Sequence, residues 1–306
     1  MTPVAAIKAR AAELGFIACG IADLSPMAGG ARLERWLAAG YGGTMRYLHR
    51  QAKKRKDPAR IASQGRSFVV VLDNYYYESE DCGAPRIARY ARGRDYHLAT
   101  VERLEQLAES IRGLGAGYTR TFADAGPVPE RELAQRAGLG WVGKNTMLIR
   151  PGVGSWFFIG SVLTDLLLPP DAAFQTDHCG QCTRCLDACP TAAFVEPGML
   201  DATRCISYLT IEQPGPIPGE FRSRLEGWGF GCDICNEVCP WNQRFARDSG
   251  VPDFRPRADS PAGTPAAFER MTPEEFEARF ADTPLERPGL EKLRDNWKAA
   301  AESHKS

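Results

Sequence analysis

Ten cysteines are the residues of this sequence best suited to chemistry, and eight of them lie between positions 179 and 239. The first four, Cys179, Cys182, Cys185 and Cys189, are separated by two, two and three residues, and Pro190 follows them. This spacing is typical of [4Fe-4S] ligands, and the fourth cysteine of such a run serves a second cluster. We therefore expect one-electron chemistry in this segment. A zinc site or disulfides would be the structural alternative.

The second group of cysteines is incomplete. Cys232, Cys235 and Cys239 precede Pro240 but lack a fourth member, whereas two cubanes need eight thiolates. Cys205 is the remaining cysteine inside the segment and is predicted to be the eighth ligand. The predicted ligands are Cys179, Cys182, Cys185 and Cys239 for the first cluster, and Cys189, Cys205, Cys232 and Cys235 for the second. A three-iron cluster or zinc in the second site stays open as an alternative.

The elements that must position these cysteines alternate between helix and strand. Apolar residues at helical spacing predict helices, the strongest of them from Leu98 to Ile111, and the apolar run Phe68 to Leu72 predicts a buried strand. This alternation continues to about residue 168 and indicates an α/β fold with a sheet covered by helices.

Three regions are predicted from these patterns. Residues 1–170 form the α/β domain, and residues 171–245 form a loop-rich, ferredoxin-like domain for two [4Fe-4S] clusters. Residues 246–306 form a C-terminal helical segment, with helices predicted at 273–280 and 290–301.

The charge balance and the N-terminus limit the location and partners of the chain. Thirty-eight Lys and Arg balance 38 Asp and Glu, so a nucleic-acid partner would have to be met by a local patch. Charged residues interrupt the apolar N-terminus, and no run approaches the roughly 18 apolar residues of a spanning helix. We expect a cytoplasmic protein with no membrane partner, in which clustered cysteines bind metal. Cys19 and Cys82 are interpreted as free thiols.

A glycine loop imitates a phosphate-binding motif. Gly138, Gly140 and Gly143 fit G-x-G-x-x-G, and Lys144 completes G-x-x-x-x-G-K. True phosphate loops follow a strand and precede a helix, whereas here a helix is predicted before the loop and a strand after it. We interpret the loop as one that approaches a flat or bulky ligand closely, or as a plain tight turn.

Taken together, the motifs resemble the epoxyqueuosine reductases. The resemblance extends over nearly the whole of residues 1–245. It rests on HCGQCTRCLDACP (178–190), RCISYLT (204–210), GCDICNEVCPWN (231–242), DYH (95–97), AGLGWVGKN (137–145), and Asp124 with Glu130 and Arg131.

This resemblance implies a cobalamin-dependent oxidoreductase that reduces epoxyqueuosine to queuosine at the wobble position of tRNA. Electrons from an external low-potential donor would pass through two [4Fe-4S] clusters to cobalamin. It also implies a nitroreductase-like fold for the α/β domain. Asp124 matches the family's proposed proton donor, and burial beside an apolar corrin would keep its carboxyl protonated.

The resemblance implies further site residues, each of which also has a structural interpretation. The positions implied for cobalamin are Arg55, Asp124, Lys144, Leu148 and Ile159, and those implied for substrate are Glu130 and Arg131. Alone, Asp124 would be a turn cap, Arg55 part of a solvated helix face, Leu148 and Ile159 core residues, and Glu130 a favourable acid at a helix N-terminus.

His97 differs from the cobalt ligand of many cobalamin proteins. Their Asp-x-His-x-x-Gly signature begins here as Asp95-Tyr96-His97, but position 100 is threonine. The sequence therefore favours cobalamin without a histidine ligand, and we interpret His97 as structural.

A basic stretch is the candidate contact for tRNA. Residues 46–66 contain eight Lys or Arg and one acidic residue, Asp57, a density that suits phosphate contacts, although such runs are also ordinary solvated faces. We expect a monomer. Two other functions remain as alternatives: a corrinoid reductive dehalogenase-like enzyme, and a ferredoxin-like electron-transfer module without catalysis.

Overall fold

The computed structural model describes residues 1–78 and 83–304, so Cys82 lies outside the described residues. The strands are β1 Ala18–Ala22, β2 Ser67–Asn74, β3 Arg86–Ile87, β4 Thr119–Ala123, β5 Trp141–Val142, β6 Leu148–Ile149, β7 Phe157–Thr164, β8 Phe194–Glu196, β9 Met199–Leu200 and β10 Trp228–Phe230. The helices are α1 Pro3–Glu13, α2 Gly30–Ala38, α3 Arg46–Lys56, α4 Tyr96–Gly113, α5 Glu130–Arg136, α6 Arg184–Asp187, α7 Ile206–Ile211, α8 Gly219–Arg222, α9 Ile234–Glu237, α10 Pro240–Phe245, α11 Pro273–Phe280 and α12 Leu290–Ser303.

A four-stranded sheet in the order β1-β2-β7-β4 organises the first half of the chain, and each neighbouring pair is antiparallel. The strand predicted at residues 68–72 is β2, which pairs with β7 along its whole length, from Ser67 opposite Thr164 to Asn74 opposite Phe157. Both faces of β2 are buried, which explains why its sequence is a continuous apolar run rather than an alternating one.

Helices cover both faces of this sheet, so the predicted α/β class is confirmed. On one face, Phe68 and Val70 of β2 belong to a core that includes Leu133 of α5. On the other face, Val69 belongs to a core that includes Leu104 of α4, together with residues of α1. Successive residues of a strand point to opposite faces, and β2 therefore contributes to both cores.

The N-terminus of helix α4 contains three residues singled out in the sequence, Asp95, Tyr96 and His97. The carboxylate of Asp95 caps the helix by accepting from the backbone N–H of His97 at 2.9 Å. Further along, Arg103 forms an ion pair with Asp73, which is completely buried in β2, and Thr100 donates to the same carboxylate at 2.7 Å. These contacts fix α4 against the sheet and so fix the position of its first turn.

The C-terminal segment packs against residues from the two preceding regions. Strand β3 pairs with β10 in parallel, and Ile87 and Phe230 from these strands share a core with Phe268 and Trp297. The two predicted helices of this segment are α11 and α12. None of the helices in residues 1–78 and 83–304 has both the length and the apolar character needed to cross a membrane.

Candidate functional site

The predicted cluster ligands lie close to one another. The thiol of Cys185 has Cys179, Cys182 and Cys239 as neighbours. The thiol of Cys235 has Cys205, Cys185 and Cys189 among its neighbours, and that of Cys232 has Cys235 and Cys205. Helices α6 and α9 pack against each other and bring the two cysteine motifs together. All eight predicted ligands therefore lie together in the fold, and their division into two sets stays a prediction.

Two of the thiols lie at helix N-termini. Cys205 is the N-cap of α7, where the nearby backbone N–H groups of Ser207 and Tyr208 lower the pKa of its thiol against the larger effect of burial. Cys239 is the N-cap of α10, where the N–H groups of Trp241 and Asn242 act in the same way. The first N–H groups of a helix have no partner within the helix, and they stabilise a thiolate placed beside them. Proline at the first position of α10 loses nothing there, because no helical acceptor exists for its missing N–H.

Burial makes these cysteines poor thiolates without a compensating charge. It raises the pKa of the Cys185 thiol to about 11 and raises the pKa values of the Cys232 and Cys235 thiols well above their ordinary value. Iron supplies positive charge that keeps coordinating thiols deprotonated. Among the described residues, no three His, Cys, Asp or Glu side chains converge as a single metal ion would require. In a cubane each thiolate binds a different iron atom, so the two sets are chemically suited to [4Fe-4S] clusters.

Cys19 lies in β1, where burial raises the pKa of its thiol to about 12. A thiol with such a pKa is inert near neutrality. The prediction that Cys19 is a free thiol apart from the clusters agrees with this position.

Asp124 follows β4 and faces a cavity of ≈ 270 Å³. Its backbone is left-handed, with φ 48°, a conformation that few residues other than glycine adopt. Two contacts hold it there: its N–H donates to Oε1 of Glu130 at 2.7 Å, and the hydroxyl of Tyr96 donates to its Oδ2 at 2.6 Å. Strained backbone held by such contacts is typical of functional sites.

The carboxyl group of Asp124 is more accessible than the sequence suggested. We expected burial, whereas 62% of the side chain is exposed. The carboxyl group opens into the cavity from the turn, and only its Oδ2 side is covered by Tyr96. Any burial of this group would therefore come from molecules bound in the cavity.

Glu130, beside Asp124, is a carboxyl group with a raised pKa. It is the first residue of α5, and burial, reinforced by the negative charge of Asp124, raises its pKa to about 8. Its neighbour Arg131 points elsewhere and donates to the backbone oxygen of Thr146 at 3.0 Å. The structure thus brings Glu130, but not the guanidinium of Arg131, into contact with Asp124.

The raised pKa of Glu130 predicts a pH-dependent stability. The folded protein keeps this proton up to a pH of about 8, whereas the unfolded chain loses it above about 4.5. The contribution of Glu130 to stability is therefore complete below about pH 4.5 and is lost as the pH rises to 8. We expect the free energy of unfolding of Glu130→Gln, relative to wild type, to increase by about 1–2 kcal/mol between pH 5 and pH 8.

Denaturant unfolding at several pH values measures this difference. Glu277→Gln, which removes an exposed carboxyl group from α11, is the matched control and should show a constant difference from wild type. A constant difference for Glu130→Gln as well would contradict a proton retained at Glu130.

Arg55 braces the loop that contains Asp124. Its Nη1 donates to the backbone oxygen of Val128 at 3.0 Å, its Nη2 donates to that of Gly126 at 2.9 Å, and its Nε donates to Gln51. The expected contact of Arg55 with cobalamin would have to use donor capacity beyond these bonds. Four elements, β2, β3, α4 and β4, separate Arg55 on α3 from Asp124 in sequence, so no local motif indicated this brace.

Lys144 joins the glycine loop to the first cysteine motif. Its Nζ donates to the backbone oxygens of Gly180 at 2.6 Å and Cys182 at 3.0 Å. Leu148 is buried in the core that contains α5, and Ile159 packs against the same core while remaining partly exposed. The structure therefore places Lys144 beside the first ligand set, and Leu148 and Ile159 in or at the apolar core.

The glycines of this loop are needed by the protein itself. A Cβ at Gly140, whose φ is 157°, would lie 2.2 Å from the backbone oxygen of Ile149. A Cβ at Gly138, whose φ is 74°, would lie 2.6 Å from that of Ala172. Helix α5 precedes the loop and β6 follows it, as predicted, so the order of elements of a phosphate loop is absent here. Close packing of the chain on itself, rather than a ligand, accounts for these two glycines.

Sequence reasoning missed most of the cavity wall. Besides Asp124, the cavity is lined by Tyr90, Asp95, Tyr96, His97, Ile211, Glu212, Phe230, Thr283, Pro284, Glu286 and Arg287. Glu212 and Arg287 form an ion pair at 2.6 Å. His97, interpreted as structural, faces Asp124 with its Nε2 4.0 Å from Oδ2. The available signal was the DYH motif, which contributes to the family resemblance and forms an incomplete cobalt-ligand signature but does not by itself indicate a cavity wall.

The basic stretch is largely helix α3, and none of the residues of this helix is buried. Arg46, Arg50, Lys53 and Lys54 are exposed, whereas Lys56 pairs with Glu34. The same helix presents Arg55 to the Asp124 loop, so the exposed cations lie on an element that also supports the cavity.

Two family models match the chain. The model described as "Epoxyqueuosine reductase QueG, DUF1730" matches residues 55–125, which include Asp95, His97 and Asp124. The model described as "4Fe-4S double cluster binding domain" matches residues 178–242, which contain all eight predicted ligands.

Curated relatives match nearly the whole chain. An epoxyqueuosine reductase of Pseudomonas aeruginosa is 45% identical over 295 residues, which cover 94% of this chain and 81% of the relative. One of Cyclobacterium marinum is 40% identical and the match covers 95% of this chain and 94% of the relative.

Solved structures agree with this similarity. A selenomethionine-labelled epoxyqueuosine reductase superposes with a TM-score of 0.87 at 29% identity, covering 98% of this chain and 81% of that one. A complex of epoxyqueuosine reductase with an epoxyqueuosine-modified tRNA-Tyr stem loop superposes with a TM-score of 0.85 at 29% identity, covering 98% and 80%. A reductive dehalogenase at 20% identity and a TM-score of 0.51 is similar in fold alone.

Proposed function

The chain belongs to the epoxyqueuosine reductase family, and we propose that it reduces epoxyqueuosine to queuosine at the wobble position of tRNA. The observation that carries this proposal is the identity of 40–45% to named reductases across more than nine-tenths of the chain. The exposed carboxyl of Asp124 in a cavity supports it, because removing an epoxide oxygen requires a proton donor.

Two [4Fe-4S] clusters are held by the C-terminal half of this chain, in the domain that matches the double-cluster model. We propose the ligand sets given above, Cys179, Cys182, Cys185 and Cys239 for one cluster and Cys189, Cys205, Cys232 and Cys235 for the other. Bound clusters supply one-electron transfer. The helix N-terminal N–H groups beside Cys205 and Cys239 favour the thiolate form that iron needs.

Cobalamin is the cofactor that we propose between the two regions. The cavity of ≈ 270 Å³ suits a modified base but is smaller than a corrin. Three partly exposed apolar residues pack against the core that contains Leu133: Val142, Val153 and Ile159. A flat apolar macrocycle would cover side chains of this kind. When bound, cobalamin supplies a low-potential centre for reductive C–O cleavage. We propose that Lys144, Leu148 and Ile159 help to hold it.

The residues around Asp124 prepare this carboxyl group for proton donation. The hydroxyl of Tyr96 orients Oδ2, and Glu130 fixes the backbone N–H of Asp124. Arg55 holds the carbonyl groups that follow at Gly126 and Val128. Asp124 is therefore an exposed carboxyl group on a turn that its neighbours hold in place. We propose that Glu130, with Arg131 behind it, forms the adjoining wall of the substrate site.

Anaerobic turnover of an epoxyqueuosine-containing RNA stem loop tests the proposed function. The cluster-loaded protein, a low-potential reductant and cobalamin should convert the modified base to a product lighter by one oxygen, as measured by mass spectrometry. Omitting cobalamin should abolish the product and the corrin absorption of the purified complex. Absence of product with all components present would contradict the proposed function, and full conversion without cobalamin would contradict the proposed cofactor.

Helix α3 is proposed as a phosphate contact for the tRNA. Replacing both Lys53 and Lys54 with glutamate should weaken RNA binding about tenfold near 0.1 M salt and lower the slope of log K against log salt by about 1–2. The matched control is Arg270→Glu with Lys298→Glu, which changes the charge equally at exposed positions outside α3. Equal losses in both double variants would show a bulk-charge effect and contradict a contact at α3.

The remaining proposals concern organisation and partners. We propose that residues 1–170 form a nitroreductase-like cobalamin-binding domain, 171–245 the two-cluster domain and 246–306 a C-terminal helical segment. The shared core of β3, β10 and the C-terminal segment supports close packing of the three. A cytoplasmic monomer that receives electrons from an external low-potential donor would suit a tRNA substrate.

A further inference from the structure

The proposed reaction needs two protons, whereas Asp124 can hold only one. Removing the oxygen of an epoxide breaks both C–O bonds, forms a carbon–carbon double bond and releases water. These changes consume two electrons, which the external one-electron donor supplies, and two protons. Asp124 must therefore receive a second proton within each turnover, or another group must donate one.

His97 is placed to supply this proton. It shares the cavity with Asp124, and its Nε2 lies 4.0 Å from Oδ2 of Asp124. The Asp124 side chain is mostly exposed, so a rotation that moves its oxygen by about 1 Å would complete a hydrogen bond. About a third of the His97 side chain is exposed, at 32%, which leaves the ring open to solvent protons.

Asp95 fixes the orientation of the His97 ring. Its Oδ1 lies 2.8 Å from Nδ1 of His97 and also accepts from the backbone N–H of His97 at 2.9 Å. Although burial opposes it, these hydrogen bonds hold the pKa of Asp95 below its ordinary value, so its carboxylate is charged. A carboxylate at Nδ1 keeps the proton on that nitrogen and presents Nε2 to the opposite side, as in other carboxylate–histidine pairs.

We propose that His97, oriented by Asp95, reloads Asp124 with a proton during turnover. The carboxyl of Asp124 gives its proton to the epoxide oxygen as the first C–O bond breaks. The imidazolium of His97 then transfers its Nε2 proton to the Asp124 carboxylate. Asp124 protonates the resulting hydroxyl, which leaves as water. His97 then takes up two protons from solvent in succession and passes the first to the Asp124 carboxylate, so that both groups are protonated again and the two protons consumed are replaced. This inference rests on the proposed function.

The other titratable groups near Asp124 are less suited than His97 to supply its proton. The titratable and charged groups that face His97 and Asp124 are Tyr90, Asp95, Tyr96, Glu130, Glu212, Glu286 and Arg287. Burial and the nearby charge of Asp124 raise the pKa of Tyr96 well above its ordinary value, so Tyr96 keeps its proton and serves as a hydrogen-bond donor. Oε1 of Glu130 accepts a hydrogen bond from the backbone N–H of Asp124, so Glu130 contacts the backbone of Asp124 and not its carboxyl group.

Turnover of the epoxyqueuosine RNA by three variants tests the proton supply. His97→Gln should lower kcat about 10–100-fold with little change in KM for RNA, because proton transfer and not binding is impaired. Added imidazole should restore several-fold activity to His97→Ala but not to Asp124→Asn. His304→Gln, at the exposed end of α12, is the matched control and should keep the wild-type rate. Wild-type kcat in His97→Gln, or a loss in His97→Ala that imidazole does not relieve, would overturn the proposal.

A second measurement does not depend on turnover. Nitrogen-15 NMR of ring-labelled protein at neutral to alkaline pH should show His97 protonated at Nδ1, and Asp95→Asn should abolish this preference. Neutral His97 protonated at Nε2 in the wild type would overturn the proposal. Absence of turnover by the wild type, with the expected tautomer present, would instead count against the proposed function and leave the assigned orientation supported.

Discussion

Replacement of Asp124 with asparagine should lower the turnover of epoxyqueuosine RNA by about 10²–10⁴-fold, which is the usual contribution of a positioned general acid. Asparagine has nearly the same shape, and its side-chain oxygen can still accept from the hydroxyl of Tyr96. The left-handed turn also tolerates asparagine. The variant therefore removes the transferable proton while keeping the loop and the cavity. Anaerobic steady-state kinetics with the modified stem loop measure the loss.

The loss must be separated from damage to the cofactor sites. Asp124→Asn should bind RNA and cobalamin with wild-type affinity and carry the wild-type amount of iron. Glu277→Gln on α11 is the control for removal of a carboxyl group and should retain full activity. Full activity of Asp124→Asn would remove Asp124 from its role, and Glu130, which keeps a proton to a pH of about 8, would become the next candidate donor.

Individual elements of residues 1–170 could be predicted because their apolar residues form either a helical period or a continuous run. Helix α4 and strand β2 are long and strongly patterned, and both occur where the sequence places them. The order of strands β1-β2-β7-β4 could not be predicted, since antiparallel neighbours distant in sequence leave no local trace. Helix α3 was anticipated only as the solvated helix face offered as an alternative for Arg55, and its bounds could not be predicted because its eleven residues are mostly cationic and none is buried.

Most of the residues that line the cavity could not be predicted from the sequence either. Asp124 was found through a motif, but Glu212, Phe230 and Arg287 come from three distant stretches that meet only in the folded chain. Arg55 shows the converse case: a cation in a basic run was expected to contact a ligand, which stays a prediction, and the structure adds that it holds two backbone carbonyl groups of the Asp124 loop. Spacing identifies residues that act from one turn or helix, and it cannot identify contacts that the tertiary fold creates.

Cys205 is the exception, because a ligand count identified it without any local motif. Two cubanes need eight thiolates, and no other cysteine lies in the segment. The structure adds a physical reason that the count lacked. At the N-cap of α7, the half-buried Cys205 lies near Cys189 and beside the backbone N–H groups of Ser207 and Tyr208, so both bound iron and these N–H groups would favour its thiolate.

Replacement of Cys205 with alanine should therefore remove one cluster and abolish turnover. We expect the iron content after anaerobic reconstitution to fall from about eight to about four atoms per chain, since alanine cannot replace the missing thiolate. Activity should fall at least about 10³-fold, because an electron path interrupted at one cluster leaves the reductant without access to the site. Iron analysis, electron paramagnetic resonance of the reduced protein and turnover assays measure these effects together.

Cys19→Ala is the matched control, because this thiol is also buried but lies in β1 apart from both ligand sets. It should retain about eight iron atoms per chain and wild-type turnover. The remaining cluster of Cys205→Ala should have the set of Cys179, Cys182, Cys185 and Cys239, whose neighbours do not include Cys205. Adding Cys239→Ala to Cys205→Ala should then remove the rest of the iron. Full iron content in Cys205→Ala would show that the second cluster takes its fourth ligand elsewhere, and would replace the proposed pairing of the two cysteine motifs.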